Sequence, residues 1–187
     1  TRAEKGDSGS QRALEITALG NDYRPVSEIL DAKAFVNGIV GLMATGGSTN
    51  LVLHMPAMAR AAGIALEVQD FDDISSVTPL MAKVYPNGLA DVNHFHAAGG
   101  LQYMIGELLD AGLLHEDVKT VIGDGLRPYT REPELKDDKL TWRDGPTQTH
   151  NDKVLRPATD PFQKTGGLKQ LKGNLGHGMI KVSAVAP

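Results

Sequence analysis

From Ala34 to Ala59 the chain carries no Asp, Glu, Lys or Arg, and the middle of that stretch reads Thr45-Gly46-Gly47-Ser48-Thr49-Asn50. A membrane-spanning helix needs roughly 20 mostly apolar residues. A polar, glycine-containing turn at bilayer depth would leave backbone groups without partners. The stretch therefore predicts two buried helices joined by a polar turn, and no membrane span. Asp31 suits an N-cap. Ala32, Phe35, Val36, Ile39, Val40 and Met43 follow at i, i+3, i+4, i+7 spacing, the pattern of a core-facing helix. That helix should stop near Gly46-Gly47. The second should run from about Leu51 to Ala62, with Pro56 producing a kink or a late start.

The rest of the chain reads less sharply. Residues 1–10 are polar and predict a frayed end, and 11–19 a short helix. Ile64 to Val68 and Val118 to Ile122 read as strands. Asp70, Asp72 and Asp73 suit the start of a short helix before Pro79. Asn93 suits the cap of a third long helix, with its stripe at Phe95, Ala98, Leu101, Ile105, Leu108 and Leu109 and Gly112 as its stop. Helices alternating with short apolar runs predict an α/β domain with a partly parallel sheet over residues 1–123. Residues 124–165 hold several prolines and a run of charge at 131–139. They predict a loop-rich, solvated insert and linker, with a hairpin around Leu140 to Trp142. Residues 166–187, ending near Met179-Ile180-Lys181-Val182, predict the first strand of a separate β-rich domain.

Composition narrows the function. With 187 residues, 41% hydrophobic and 22% charged, the chain is of ordinary globular type. A net charge of -4 gives no basic face for a nucleic acid. There is no cysteine. That removes disulfides, a cysteine nucleophile, thiolate zinc sites and thiolate iron–sulfur ligands from this chain. The chain opens Thr1-Arg2 without Met and shows no signal peptide, so it is expected to be a piece of a longer protein.

Chemistry can be carried by few residues. Gly46 and Gly47 permit close backbone approach to a ligand. Ser48, Thr49 and Asn50 add donors immediately before a helix, where an anion is favoured; a plain C-cap followed by an N-cap explains the same residues. His94 and His96, two apart on a helix, point to different sides and do not share a metal; either can shuttle protons or simply occupy a polar first turn. Arg127 and Arg131 can grip a phosphate or sit solvated on a loop. Asp70, Asp72 and Asp73 read as helix-start carboxylates before they read as a metal site. His115, His150 and His177 have no recognisable partners. There is no P-loop, serine nucleophile elbow or His-Glu-x-x-His motif.

Ordered blocks of residues carry a resemblance. Ala44-Thr45-Gly46-Gly47-Ser48-Thr49-Asn50 is followed by His54, Ala57-Met58-Ala59-Arg60-Ala61-Ala62-Gly63, Asp70-Phe71, Tyr85-Pro86-Asn87-Gly88 and Asp91-Val92-Asn93-His94-Phe95. Then come Ala98-Gly99-Gly100, Ala111-Gly112-Leu113-Leu114-His115-Glu116-Asp117 and Leu171-Lys172-Gly173-Asn174-Leu175-Gly176. From about residue 20 to the end the chain resembles the dihydroxy-acid dehydratase and phosphogluconate dehydratase family. Tyr85-Pro86-Asn87-Gly88, Asn93-His94-Phe95 and the insert with Arg127-Pro128-Tyr129-Thr130 resemble its phosphogluconate branch.

The resemblance implies the later part of an N-terminal α/β layered domain followed by the start of a C-terminal β-rich one. It also implies a hydro-lyase that converts 6-phospho-D-gluconate to 2-dehydro-3-deoxy-6-phosphogluconate. A 4Fe-4S cluster would act as Lewis acid on the leaving C3 hydroxyl and a base would take the C2 proton. The implied cluster cysteines lie upstream of this segment, so this chain alone is expected to bind no cluster and to be inactive. A divalent cation, a homodimer and a cytoplasmic location belong to the same expectation, with Gly46, Gly47, Ser48, Thr49, Asn50, His94 and Arg127 as substrate-binding candidates. Other sugar acids or dihydroxy acids are alternative substrates. A non-catalytic α/β ligand-binding domain is the alternative of another class, and cluster-type cysteines in flanking sequence would decide against it.

Overall fold

The computed structural model describes residues 2–137 and 139–185. Thr1, Asp138, Ala186 and Pro187 lie outside the described residues, and with them the first residue of the expected frayed end and the end of the expected tail segment. The helices are α1 (Arg2–Glu15), α2 (Val26–Ile29), α3 (Ala32–Thr45), α4 (Leu51–Ala61), α5 (Val68–Val77), α6 (Val92–Ala97) and α7 (Gly100–Asp110). The strands are β1 (Glu132–Lys136), β2 (Lys139–Arg143), β3 (Lys169–Gly173) and β4 (Gly176–Ile180).

The charge-free stretch becomes α3 and α4. Asp31 caps α3 by accepting the Ala34 N–H at 2.8 Å, and Gly46 closes it in the left-handed region at φ 58°. Two hydrophobic cores meet on α3. Val40 and Ala44 join one with Met81, Tyr103, Leu108 and Leu155. Phe35, Ile39, Leu42 and Met43 join the other with Met55, Phe71 and Leu168. A helix that is apolar on nearly every side belongs inside such a packing arrangement. The expectation of two buried helices holds for α3 alone: α4 buries only Val52, Met55 and Ala59 and leaves Leu53 and Met58 exposed. Pro56 is accommodated inside α4, which begins at Leu51 without a late start.

The chain mixes helix and strand, as expected, but among the described residues no partly parallel sheet forms. The sheets are two antiparallel hairpins, β1–β2 and β3–β4. In place of a sheet, an extended segment over residues 80–84 threads between α3 and residues 154–163 through isolated bridges. Its Met81 and Ala82 N–H groups both donate to the Ala44 carbonyl, at 2.8 and 3.2 Å. They satisfy an acceptor that the end of α3 leaves free.

Several local expectations are corrected. Ile64 and Leu66 alternate because they pack onto the second core from an extended segment, and Val68 already opens α5. Glu67 donates its N–H to Asp70 Oδ2 at 2.7 Å there. The third helix is capped by Asp91 rather than Asn93 and breaks at Gly99, where φ is 131°. The Ala98 carbonyl freed at the break accepts the His150 N–H at 3.0 Å and the Thr149 hydroxyl at 3.2 Å. Val118 to Ile122 folds into a tight turn, with Gly125 N–H on Val118 C=O at 2.7 Å. Helix α1 covers Arg2–Glu15 instead of beginning after a frayed end.

The expected hairpin around Leu140 to Trp142 is present as β1–β2, but the insert is not solvated throughout: Val154 and Leu155 are buried in the first core. The tail forms a two-stranded hairpin rather than one strand. It rests on the helical body through buried Leu168 and partly buried Met179.

Candidate functional site

The left-handed Gly46 turns the chain out of α3, and a cavity of about 560 Å³ opens beside it. Thr45, Gly46, Gly47, Ser48 and Thr49 form one wall. Val92, Phe95 and Leu101 contribute an apolar wall from α6 and α7, and Tyr85-Pro86 forms part of the rim. Lys181, just past β4, brings the one charged side chain of the lining.

The turn is held from behind. Asn87 Nδ2 donates to the Gly46 carbonyl at 2.9 Å and to the Thr45 carbonyl at 3.3 Å. The Ser183 hydroxyl lies 2.9 Å from Asn87 Oδ1 and 3.2 Å from the Gly167 carbonyl, sharing one proton between two acceptors. Gly167 donates its N–H to Met43 C=O at 3.3 Å. Glycine is required where these segments touch. A Cβ on Gly46 would lie 2.2 Å from Asn87 Nδ2, and one on Gly167 would lie 2.7 Å from the Gly46 Cα. Thus α3, the Tyr85–Gly88 loop and the segment after β4 are locked together at the cavity wall.

The structure gathers Gly46, Gly47, Ser48 and Thr49 at this cavity; Asn50 begins the turn into α4 beside it without lining it. His94 does not line it either. Its Nδ1 sits 2.8 Å from Asp91 Oδ1, which also accepts the His94 N–H at 3.0 Å. That hydrogen bond, foremost, holds the Asp91 carboxyl below its ordinary range. The neighbours Val92 and Phe95 face the cavity instead. Arg127 is elsewhere, bridging Asp110 at 2.8 Å and Glu116 at 3.3 Å beside a separate cavity of about 220 Å³. Asp72 binds the second hairpin, accepting from Lys169 Nζ and the Gln170 N–H, each at 2.8 Å.

Sequence reasoning missed Lys181, Asn87 and Ser183. Asn87 belongs to the Tyr85-Pro86-Asn87-Gly88 segment, but nothing local in the sequence links it to Thr45 and Gly46, more than 40 positions away. Lys181 reads in sequence only as part of a strand, whereas β4 ends at Ile180.

A larger cavity of about 780 Å³ separates α1 from β1–β2, lined by Val121, Ile122, Leu140 and Trp142 among others. Size favours it; the concentration of backbone amides, hydroxyls and one ammonium favours the cavity at the glycine turn. An iron–sulfur cluster does not fit the residues present. There is no cysteine, and the described residues contain no group of three or more His, Cys, Asp or Glu placed to hold a metal. No helix among them is long and apolar enough to cross a membrane.

Comparison of the sequence with known proteins points to one class. The family model described as dihydroxy-acid/6-phosphogluconate dehydratase N-terminal matches residues 1–129. The chain belongs to that family. It is 53% identical over 186 residues, all of the chain, to a phosphogluconate dehydratase of Pseudomonas aeruginosa, covering 31% of that protein. It is 54% identical over 179 residues, 95% of the chain, to a phosphogluconate dehydratase of Rhizobium meliloti, covering 30% of it. A dihydroxy-acid dehydratase of Koribacter versatilis is 43% identical over 162 residues, 87% of the chain and 26% of that protein. The chain thus spans under a third of the length of these curated relatives.

Proposed function

We propose that this chain is the substrate-cavity segment of a hydro-lyase that dehydrates 6-phospho-D-gluconate to 2-dehydro-3-deoxy-6-phosphogluconate. The observation that supports this most is the 53% identity to a phosphogluconate dehydratase over the whole chain, against 43% to a dihydroxy-acid dehydratase over a shorter stretch. In the reaction the C2 proton is removed, the C3 hydroxyl leaves as water, and the resulting enol tautomerises to the 2-ketone. The substrate carries a carboxylate and a phosphate, which need fixed donors.

This chain's contribution is binding and orientation. The Gly46–Thr49 turn offers backbone and hydroxyl donors on a wall locked from behind by Asn87. The apolar wall of Val92, Phe95 and Leu101 excludes water from one side of the cavity. A fixed wall of this kind holds a substrate in its reactive geometry, where much of the barrier reduction in enzymes originates. No base and no activating group for the leaving hydroxyl is assigned within the chain. The cluster implied by the resemblance would need ligands from other segments, and no step is assigned to it.

The test is turnover by the full-length protein. It should form the 2-keto product from 6-phosphogluconate faster than it dehydrates a 2,3-dihydroxy branched acid. Ser48→Ala should lower kcat/KM by about tenfold, the equivalent of one hydrogen bond to a charged group. Wild-type kinetics in a normally folded Ser48→Ala protein would remove the turn from the site. Preference for the branched acid would overturn the substrate.

A further inference from the structure

We infer that Lys181 is the cation that binds an oxyanion of the substrate at the glycine turn. This rests on the proposed function of the same cavity. Lys181 follows directly on β4, its side chain is half-buried, and it lines the same cavity as Ser48 and Thr49. The lining contains no Asp or Glu. Lys33, Lys119 and Lys169 are paired with Asp117, Glu28 and Asp72, whereas Lys83, which stacks over Phe162, and Lys172, which bonds Gln69, make no ion pair among the described residues; Lys181 differs from these in lining a cavity. Lys181 makes no ion pair among the described residues. A partly desolvated ammonium with no counter-charge is unfavourable unless a ligand supplies one. Desolvation alone pulls its pKa below the ordinary lysine value.

The glycine turn complements it. Among the described residues, the Ser48 and Thr49 N–H groups donate to no backbone or side-chain acceptor. Ser48 and Thr49 are exposed, so their amides and hydroxyls are open to a ligand, and together with the Lys181 ammonium in a cavity lined without carboxylates they suit an oxyanion. The position of Lys181 is also fixed. Ser183, two residues on, bonds Asn87 and Gly167, and Asn87 bonds the Gly46 carbonyl. The turn and the lysine are thereby parts of one rigid wall. The ligand chemistry is a carboxylate or a phosphate monoester, and the proposed substrate carries both.

The experiment uses the full-length protein as wild type, Lys181→Met and Lys181→Arg, with melting temperature as the folding control. Kinetics are measured on 6-phosphogluconate and on unphosphorylated gluconate, and binding of inorganic phosphate is measured directly by calorimetry. Loss of a charge-assisted contact predicts a rise of about tenfold to a hundredfold in KM for Lys181→Met, with Lys181→Arg retaining most of the affinity. If Lys181 takes the phosphate end, the loss is confined to 6-phosphogluconate and inorganic phosphate binding weakens equally. If it takes the carboxylate, both sugar acids lose equally. Either result supports the assignment. An unchanged KM for both substrates with unchanged phosphate binding overturns it. A wild-type protein that binds phosphate through Lys181 yet dehydrates neither sugar acid overturns the hydro-lyase reading and leaves the oxyanion site standing.

Discussion

The two hairpins are of equal length and nearly equal construction. Each pairs five residues with five in antiparallel register, Glu132 with Arg143 to Lys136 with Lys139 in one and Lys169 with Ile180 to Gly173 with Gly176 in the other. Their attachments differ. β1–β2 presents charged side chains and a half-exposed Trp142 to solvent and leans on α1 across a cavity. β3–β4 is riveted to the helical body at both ends. Leu168 is buried before it, Asp72 grips Lys169 and Gln170, and Ser183 grips Asn87 after it. An isolated two-stranded hairpin is marginal in water. The comparison therefore teaches that a hairpin's worth lies in what its ends are fastened to. Only the fastened one delivers a side chain, Lys181, to the candidate site.

The largest effect should come from breaking that fastening at its tightest point. An alanine Cβ at Gly167 would lie 2.7 Å from the Gly46 Cα, which is backbone and has little room to give, and 2.7 Å from Ser183 Oγ. Overpacking of this kind costs about 3 kcal/mol. For a chain of this size that is a fall in melting temperature of roughly 6–12 °C. Differential scanning calorimetry on Gly167→Ala reads it. A melting temperature within a degree of wild type would mean that the two segments are not held in contact.

A middle effect should follow from Asp72. Burial pushes its carboxyl upward, but Lys169 and the Gln170 amide together outweigh that and hold it below its ordinary value. Its side chain is 14% exposed. Asp72→Asn should therefore lose about 1–2 kcal/mol at neutral pH. The sign with pH follows from the depressed folded value. The carboxylate's contribution is complete above the unfolded pKa, near 3.8, and disappears as pH falls through the lower folded pKa. Urea titrations at pH 7 and near pH 3 should show the gap between wild type and variant closing on acidification. A gap that persists at low pH would assign the role to packing rather than charge.

The difference between the hairpins also marks where sequence reading stops. Helix α3 was legible because its cap, stripe and stop are all local: Asp31, the apolar positions and Gly46 lie within a few turns of one another. The β1–β2 hairpin was legible in part: the sequence placed a hairpin around Leu140 to Trp142, which lie in its second strand. Whether Gly46 to Thr49 border a cavity was open, since a C-cap followed by an N-cap has the same local pattern, and the other lining residues, Lys181, Tyr85 and Phe95, arrive from distant segments. The apolar alternation of Ile64 and Leu66 misled because a strand and an extended segment packed on helices show the same period. The extended spine at 80–84 was missed because its partners, Ala44, Val154 and Gln163, are far away in sequence. Arg127 illustrates the converse: a guanidinium on a loop next to a motif fits a phosphate grip by type, yet its actual partners are Asp110 and Glu116.

The smallest effect is expected on the loosely attached hairpin, and it sharpens the comparison as much as the larger ones do. Arg143 pairs with Glu132 at 2.9 Å and approaches Glu134 at 3.9 Å, but its side chain is 59% exposed. Exposed pairs contribute little because water screens them and both side chains give up rotamer freedom on pairing. Arg143→Ala should therefore change global stability by less than about 0.5 kcal/mol, within the error of a urea titration, and should leave turnover of the full-length protein untouched. Local protection should respond even so. Hydrogen exchange at 133–142 should be faster than at 170–179 in the wild type, because the first hairpin can open without disturbing either core whereas the second must release Leu168 and Ser183. In Arg143→Ala, exchange at 133–142 should quicken and exchange at 170–179 should stay as it was. Equal protection of the two hairpins would show that the first is fastened by contacts across the α1 cavity stronger than its exposed surface indicates.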